Sequence, residues 1–344
     1  MSAKTVQVRH VGDTTWLTLP GNTADINITK ESVDDSVFGS VFVSNFPTLK
    51  SWNTSSNAML KGVAGYKAQI KRAGSPTSIT GGALDEEING GFYVSNRAQS
   101  LWDSNLVVTI YSDGDVVDAE DIEYIDYLQG GVVFKSGFTP GTTITADFNY
   151  LGTERVCFFT SFDLGQTLAT EDVTDFCSAE DNGGWSVFAP QQLEVDLSMD
   201  GFYSDSSTAF EDIISDDAVI IELDLTGDGK SIARGYFRAS DLSESGDVGS
   251  TETSSLSFTL AVPEGIVLPF SYYIAEDSIM PEAVKVCLEA WEDRSPVEFR
   301  YVADGSSLEN IGEVYVTDTS LSNSVSDMNT YSLSFQGTDA LVRS

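Results

Sequence analysis

Positive charge is what this chain has least of. Its 344 residues hold 18 Lys and Arg against 53 Asp and Glu, with a single His, for a formal net charge of −35. Gripping a nucleic-acid backbone takes clustered Lys and Arg that neutralise phosphates, and the sequence has no such cluster. Binding to an anionic membrane surface is disfavoured for the same reason. Proline is scarce, at 9, and so is cysteine, at 3. Cys157, Cys177 and Cys287 are far apart and odd in number, with no CxxC and no Cys/His cluster. That pattern indicates neither a zinc site nor a disulfide framework, and reduced thiols in a protein made in a cytoplasm are expected. No apolar run reaches membrane-spanning length, and Met1–Arg9 has no apolar core of the kind a signal peptide needs.

Catalytic machinery is also thin. A Ser-His-Asp or Cys-His site would have to use His10, which sits in a short strand pattern near the start. Asp115, Asp118 and Asp121 read as a solvated face. The Gly81-Gly82 and Gly90-Gly91 stretches lack the Lys and strand-helix context of a phosphate loop. Asp224-Leu225-Thr226-Gly227-Asp228-Gly229 resembles the start of a calcium loop, but its twelfth position is Gly235 rather than Glu. A hairpin turn is therefore the better reading, and Asp224 and Asp228 are a weak metal candidate only. No enzyme activity, cofactor or catalytic residue is expected.

What is present points to β-structure. Apolar residues make up 41% of the chain, enough for real cores, and Ser, Thr, Asp, Gly, Val and Tyr are abundant. A two-strand unit occurs twice. Gly312–Leu321 runs through a polar turn into Tyr331–Leu341, and Gly235–Leu242 runs through another into Ser254–Leu260. Aligned on the leucines, the first-strand Leu and second-strand Phe are sixteen residues apart in one copy (Leu242, Phe258) and fourteen in the other (Leu321, Phe335). Helical periodicity is confined to Thr208–Ile214 and Pro281–Trp291, each followed by a strand and then the repeated hairpin.

The strands ahead of these units repeat too. Residues 5–72 hold strand patterns around an acidic loop at Glu31–Asp35, with Gly74-Ser75-Pro76 ending the block. Residues 156–202 repeat the order: a strand, the acidic loop Glu171–Asp175, an aromatic strand with a proline, and the period-two strand Leu193–Phe202. Residues 75–103 read as a linker or irregular extension, and 105–150 as a small antiparallel meander. The fold class is mainly β, with sheets that form a sandwich or barrel and one short helix per repeat. The simplest division is a discontinuous domain, 1–74 with 265–344; a linker plus small β module, 75–152; and a second, related domain, 153–264. A tandem arrangement is the alternative. Trp52, Trp185 and Trp291 lie in apolar patterns and are expected in cores, whereas Trp102 is expected to be exposed.

The strand Leu49-Lys50-Ser51-Trp52 and the ending Ser332-Leu333-Ser334-Phe335-Gln336-Gly337-Thr338-Asp339-Ala340-Leu341, set in this order of elements, resemble the tail tube proteins of long-tailed bacteriophages. The resemblance covers roughly residues 23–72 and 156–341. It implies a structural virion protein, made in the host cytoplasm, that assembles with itself into stacked rings around a DNA conduit. The duplication resembles family members that form trimeric rings with pseudo-sixfold symmetry. Four strands per domain and three chains would give a barrel of about 24 strands, wide enough for an open channel. Further implied partners are the tape measure, terminator and tail-tip proteins; DNA would pass through without specific binding, and no membrane is involved. An Asp- and Glu-lined lumen that repels phosphate gives the net charge a role beyond solubility. The acidic loops are the candidates for ring and subunit contacts, through Glu31, Asp34, Asp35 and Phe38 in the first and Glu171, Asp172, Asp175 and Trp185 in the second. The competing reading is an acidic β-sandwich adhesin or decoration module that binds a surface glycan or a partner protein.

Overall fold

A computed structural model describes residues 5–21, 23–34, 45–87, 90–181, 184–202, 213, 217–246, 252–302 and 309–343. The fold is mainly β and antiparallel. Its strands are β1 (Thr5–His10), β2 (Leu17–Thr18), β3 (Thr23–Asp34), β4 (Asn45–Ala64), β5 (Gln69–Glu86), β6 (Phe92–Val94), β7 (Thr109–Ser112), β8 (Asp115–Val116), β9 (Ile122–Asp126), β10 (Gly131–Phe134) and β11 (Ile144–Arg155). After β12 (Phe159–Asp172) come α1 (Phe176–Asp181), β13 (Phe188–Phe202), β14 (Val219–Asp224), β15 (Ser231–Ser245), β16 (Thr253–Leu260) and β17 (Phe270–Ile274). The chain ends with α2 (Glu282–Glu292), β18 (Val297–Val302), β19 (Glu309–Ser324), β20 (Met328–Gly337) and β21 (Val342–Arg343).

The chain divides into two compact units, one of residues 1–65, 162–196 and 279–344, the other of 66–161 and 197–278. The stretch 153–264 is thus shared between units, with 162–196 in the first and the remainder in the second.

The first unit holds the ladder β3–β4–β20–β19–β18–β1, every pair antiparallel, with β12 also joined to β19. Period-two alternation gives it one apolar and one polar face. Trp52, Leu60, Val314, Val316, Leu321, Tyr331, Leu333 and Phe335 are all buried. The amphipathic helix α2 packs against β1 and β19 and buries Val284, Val286, Cys287, Leu288 and Trp291. It matches the helix expected at 281–291, with Pro281 as the residue that precedes its first turn. Trp52 is the centre of this core. Its indole Nε1 donates to the Asp339 carbonyl at 2.9 Å, and its ring lies 5.9 Å from that of Phe299. Only glycine fits opposite it. A Cβ on Gly337 would stand 2.2 Å from the indole nitrogen, and one on Gly312 would stand 2.6 Å from its benzenoid edge. The Trp52 strand and the Gln336-Gly337-Thr338-Asp339 ending, recognisable separately in sequence, therefore pack as one contact.

In the second unit β14–β15–β16 repeat the β18–β19–β20 ladder, with β13 beside β16. Val219 pairs with Phe237 as Val297 pairs with Val314, and Gly235 faces Ile221 as Gly312 faces Phe299. Each hairpin carries a bulge at the same place: the register shifts between Ala239 and Asp241 in β15, and between Val316 and Asp318 in β19. Beyond it Asp241 faces Ser257 and Asp318 faces Ser334. This corrects the leucine alignment. Anchored on the bulge, Asp241 to Phe258 and Asp318 to Phe335 are both seventeen residues, and Leu242 corresponds to Thr319, not Leu321. A bulge is a fixed feature of a fold, whereas leucines recur on any apolar face. Of the helix expected at 208–214 only Ile213 is described, and it is helical.

The stretch expected as a linker is ordered strand. β5 continues through Gly74-Ser75-Pro76 to Glu86, pairs with β11 along its length and with β14 at its start, and β6 follows. Pro76 is tolerated because it sits opposite Leu151, where the register with β11 shifts between Leu151 and Thr153 and a missing N–H costs little. Trp102 is fully buried rather than exposed. It stacks on Phe148 at 4.5 Å and donates to the Gln99 carbonyl, in a core with Leu84, Val94, Ile110 and Ile144. Its polar neighbours Ser100 and Asp103 are buried as well, Ser100 as an acceptor for Arg234.

Two substitutions test the Trp52 contact. Trp52→Ala should lower unfolding free energy by about 3–5 kcal/mol. Gly337→Ala should be destabilising despite adding a single methyl, because the indole cannot retreat. Urea denaturation followed by tryptophan fluorescence measures both.

Candidate channel and assembly surfaces

The polar face of the first unit is built by register. Asn27, Asn53 and Gln336 form one cross-strand row; Asp25, Ser55, Ser334 and Asp318 a second; Thr23, Asn57, Ser332 and Ser320 a third; Met59, Thr330 and Ser322 a fourth. No Lys or Arg occurs in these rows. The side chains satisfy one another laterally: Asn27 donates to Asn53 at 3.2 Å, Ser332 to Asn57 at 2.6 Å, and Ser320 and Ser322 both to Asp163 of β12. The second unit repeats the chemistry. Asp200 accepts from Ser255 at 2.6 Å and from Ser161 at 3.3 Å, beside the Asp241–Ser257 and Ser243–Ser255 pairs, with Arg238 at one end opposite Thr259. In these rows the face is neutral to acidic apart from Arg238; further along the first-unit ladder the same face carries Arg9 and Arg300, paired with Glu298 and Glu309.

The acidic loops behave differently from each other. Glu31 is exposed on β3, and Asp34 ends that strand opposite Asn45. Asp35 and Phe38 lie outside the described residues. In the second loop the carboxylates are tied to their own backbone. Asp172 accepts from the Thr174 N–H, and Asp175 from the Ser178 N–H at the start of α1, which holds the Asp175 carboxyl below the usual range. Glu171 accepts from Gln191 at 3.1 Å. Trp185 is half-buried on β4. The Lys50 N–H donates to Gly184, the Ser186 N–H to Lys50, and the Lys50 ammonium lies 5.4 Å from the Trp185 ring. The second loop is thus docked onto the Leu49-Lys50-Ser51-Trp52 strand.

The Asp224 turn uses its carboxylates internally. Asp224 is buried and accepts from the Gly227 and Gly229 N–H groups at 2.8 and 3.0 Å, while Asp228 accepts from Thr226 and the Lys230 N–H. Gly227 is required, since its φ is +75° and a Cβ would stand 2.0 Å from the Lys67 carbonyl. Among the described residues no group of three or more His, Cys, Asp or Glu is placed to hold a metal ion. His10 lies 3.5 Å from Glu289, on the surface.

Sequence reading missed a buried ionic clamp in the second unit. Arg234 donates to Glu222 at 2.8 Å, to Ser100 at 2.6 Å and to the Leu128 carbonyl at 2.7 Å, and Lys71 donates to Glu222 at 2.8 Å. Burial opposes ionisation of Glu222, but Arg234 and Lys71 outweigh it and hold its carboxyl below the usual range. The clamp fastens the meander of β6–β11 to β14 and β15. The alternation of β14 and β15 carried no sign of it, because Glu222 and Arg234 stand within apolar runs. Nearby, Asp126 is 2% exposed and accepts from the Leu128 and Gln129 N–H groups. Burial pushes its carboxyl up to about 6, against the pull of those bonds and of Arg234 and Arg97.

No protein-family model matches the chain, and no curated protein matches it. Among the solved structures similar to part of the chain are two from phage-like particles. One is a chain from the tail of an empty GTA particle refined with C6 symmetry, 18% identical, covering 35% of this chain and 86% of that one at a TM-score of 0.29. The other is a chain from the virion of a native gene transfer agent particle, 17% identical, covering 35% and 88%, also at 0.29. A likeness of that extent carries no argument about function.

Two outcomes follow from the buried charges. Arg234→Met should cost about 3–5 kcal/mol, because it strands Glu222 in the interior with Lys71 alone; urea unfolding measures it. Asp126 has a folded pKa above its unfolded one, so its contribution is full below about pH 4 and is lost as pH rises through about 6. Asp126→Asn keeps the accepting oxygen without the charge. Its melting temperature relative to the parent should therefore rise between pH 4 and pH 7.

Proposed function

We propose that this chain is a structural subunit of a phage-type tail, a duplicated tube protein that assembles with itself into stacked rings around a channel. The observation that carries this reading is the pair of repeated sheets, one in each unit, sharing the same bulge, the same Asp–Ser pair and the same polar face. A repeated sheet whose mapped rows carry hydroxyls, amides and carboxylates and a single cation, Arg238, suits the lining of a passage for a polyanion. DNA would meet hydroxyls, amides and carboxylates, and would slide without the counterion release that makes it stick. The apolar face and α2 supply the outer support.

Two repeats per chain fit a ring of three chains. The contacts are heterologous, so closure depends on rotation rather than on a two-fold axis. The second acidic loop, held by α1 and by Trp185 on Lys50, is a stiff element suited to contact with the next ring. Tape measure, terminator and tail-tip proteins are the further partners of such a subunit, and the virion is its location.

Negative-stain electron microscopy and mass photometry of the purified protein at high concentration test the assignment. Hollow tubes of uniform width, or rings with the mass of three chains, are expected. A protein that stays monomeric at every concentration overturns it in favour of a binding module. For the lining, Ser257→Lys combined with Ser334→Lys should leave tubes intact and slow DNA passage in ejection assays. Unchanged ejection through such tubes would move the channel surface elsewhere.

A further inference from the structure

One strand pairing inside the first unit serves as a template for a contact the chain lacks. β12 lies along the outer half of β19. As β12 runs from Asp163 to Thr167, its partners run back from Ser322 to Asp318, so the two strands are antiparallel. At the centre Thr319 donates to Gln166, and both are buried, as is Leu168.

Each partner in this pairing has a repeat equivalent that has no such neighbour. Glu31-Ser32-Val33-Asp34-Asp35 matches Glu171-Asp172-Val173-Thr174-Asp175 in spacing, which aligns β3 with β12, Ile26 with Gln166 and Ile28 with Leu168. The bulge aligns β15 with β19, and Leu242 with Thr319. Among the described residues β3 pairs with β4 alone, and β15 beyond Phe237 pairs with β16 alone. The exposures agree. Leu168 is 2% exposed and its equivalent Ile28 is 51%; Thr319 is 2% exposed and its equivalent Leu242 is 38%. So each free edge shows an apolar side chain on the side that the template buries.

We propose that β3 of one copy pairs antiparallel with the outer half of β15, Arg238–Ser245, of a second copy, placing Ile26 and Ile28 against Leu242. The occupant of each edge is another copy because each edge is what the other lacks: a β12-type strand is missing at β15, and a β19-type strand is missing at β3. Long bare edges recruit strands, and an apolar pair in their middle favours one register. The ring-forming role of this contact rests on the tube reading. The pairing itself rests on the template.

The test is disulfide trapping with Ile26→Cys and Leu242→Cys together, in a Cys157→Ser, Cys177→Ser background that removes the exposed native thiols. Mild oxidation of the assembled protein should give a ladder of linked chains on a non-reducing gel. Either new cysteine alone should give no ladder. Assembled rings or tubes whose chains stay unlinked would overturn the pairing and leave the tube reading standing. A parent protein that never assembles would sink both. Ile28→Lys provides the second check. Ile28 is half exposed in the isolated chain, so the variant should melt like its parent and yet fail to assemble at concentrations where the parent is fully assembled. Normal assembly of folded Ile28→Lys also overturns the proposal.

Discussion

The first unit depends on one indole. Trp52 projects from β4 into a hollow that exists because β19 and β20 each present a glycine there, Gly312 and Gly337. Its N–H would be an orphan in that interior, and the Asp339 carbonyl satisfies it. The ring then leans on Phe299, which leans on Phe335 at 5.7 Å. Four strands are thereby held in one register by a single side chain. A one-residue slip of β4 against β20 would turn Trp52 onto the polar face and leave an empty hollow behind. The polar rows on the other side exist only in that register, so the surface proposed to face DNA is positioned from behind.

The second unit meets the same need differently. Gly235 stands where Gly312 stands in the repeat, and a Cβ there would meet the rings of Phe237 and Phe270. Aromatic packing again needs glycine in the opposing strand. This unit also carries the buried clamp of Arg234, Glu222 and Lys71. A buried ion pair adds little net stability beyond what an apolar core would give, but it tolerates only one geometry. The meander is therefore fixed in orientation on β14 and β15.

Much of this was legible in the residues. Strict alternation in Leu193–Phe202 and in Tyr331–Phe335 marked strands with one wet face, and the twice-repeated hairpin marked the duplication. The helix at 281–291 announced itself by its apolar spacing. What stayed hidden has physical causes. Pro76 and the five glycines from Gly74 to Gly91 read as a break, yet β5 passes through Gly74, Pro76, Gly81 and Gly82 because it bulges there, taking one extra residue against β11 at each of two register shifts. Trp102 looked exposed because its neighbours Ser100, Asp103 and Ser104 are polar; burial comes from Phe148, far away in sequence. Of the loop candidates, Trp185 is brought onto Lys50, while Asp172 and Asp175 serve their own backbone. The alignment by leucines failed because Leu242 stands one residue beyond the Asp that follows the shared bulge and Leu321 three, so the two leucines are not equivalent positions.

The two kinds of edge also differ in chemistry, and the difference has a reason. The pairing of β12 with β19 joins parts of one chain and uses polar groups, Gln166 on Thr319 and Asp163 on Ser320 and Ser322. A contact within a chain benefits from the high effective concentration that the chain supplies, so it can be weak without being lost. A contact between chains has no such help and must overcome the entropy of association. Where the template sets Gln166 on Thr319, the free edges carry Ile26 and Leu242; Ile28 stands for Leu168 and is apolar in both. In the proposed pairing, this divergence sets the polar Gln166–Thr319 contact inside each chain and the apolar Ile26–Leu242 contact between chains, an arrangement that lets a chain fold first and assemble afterwards.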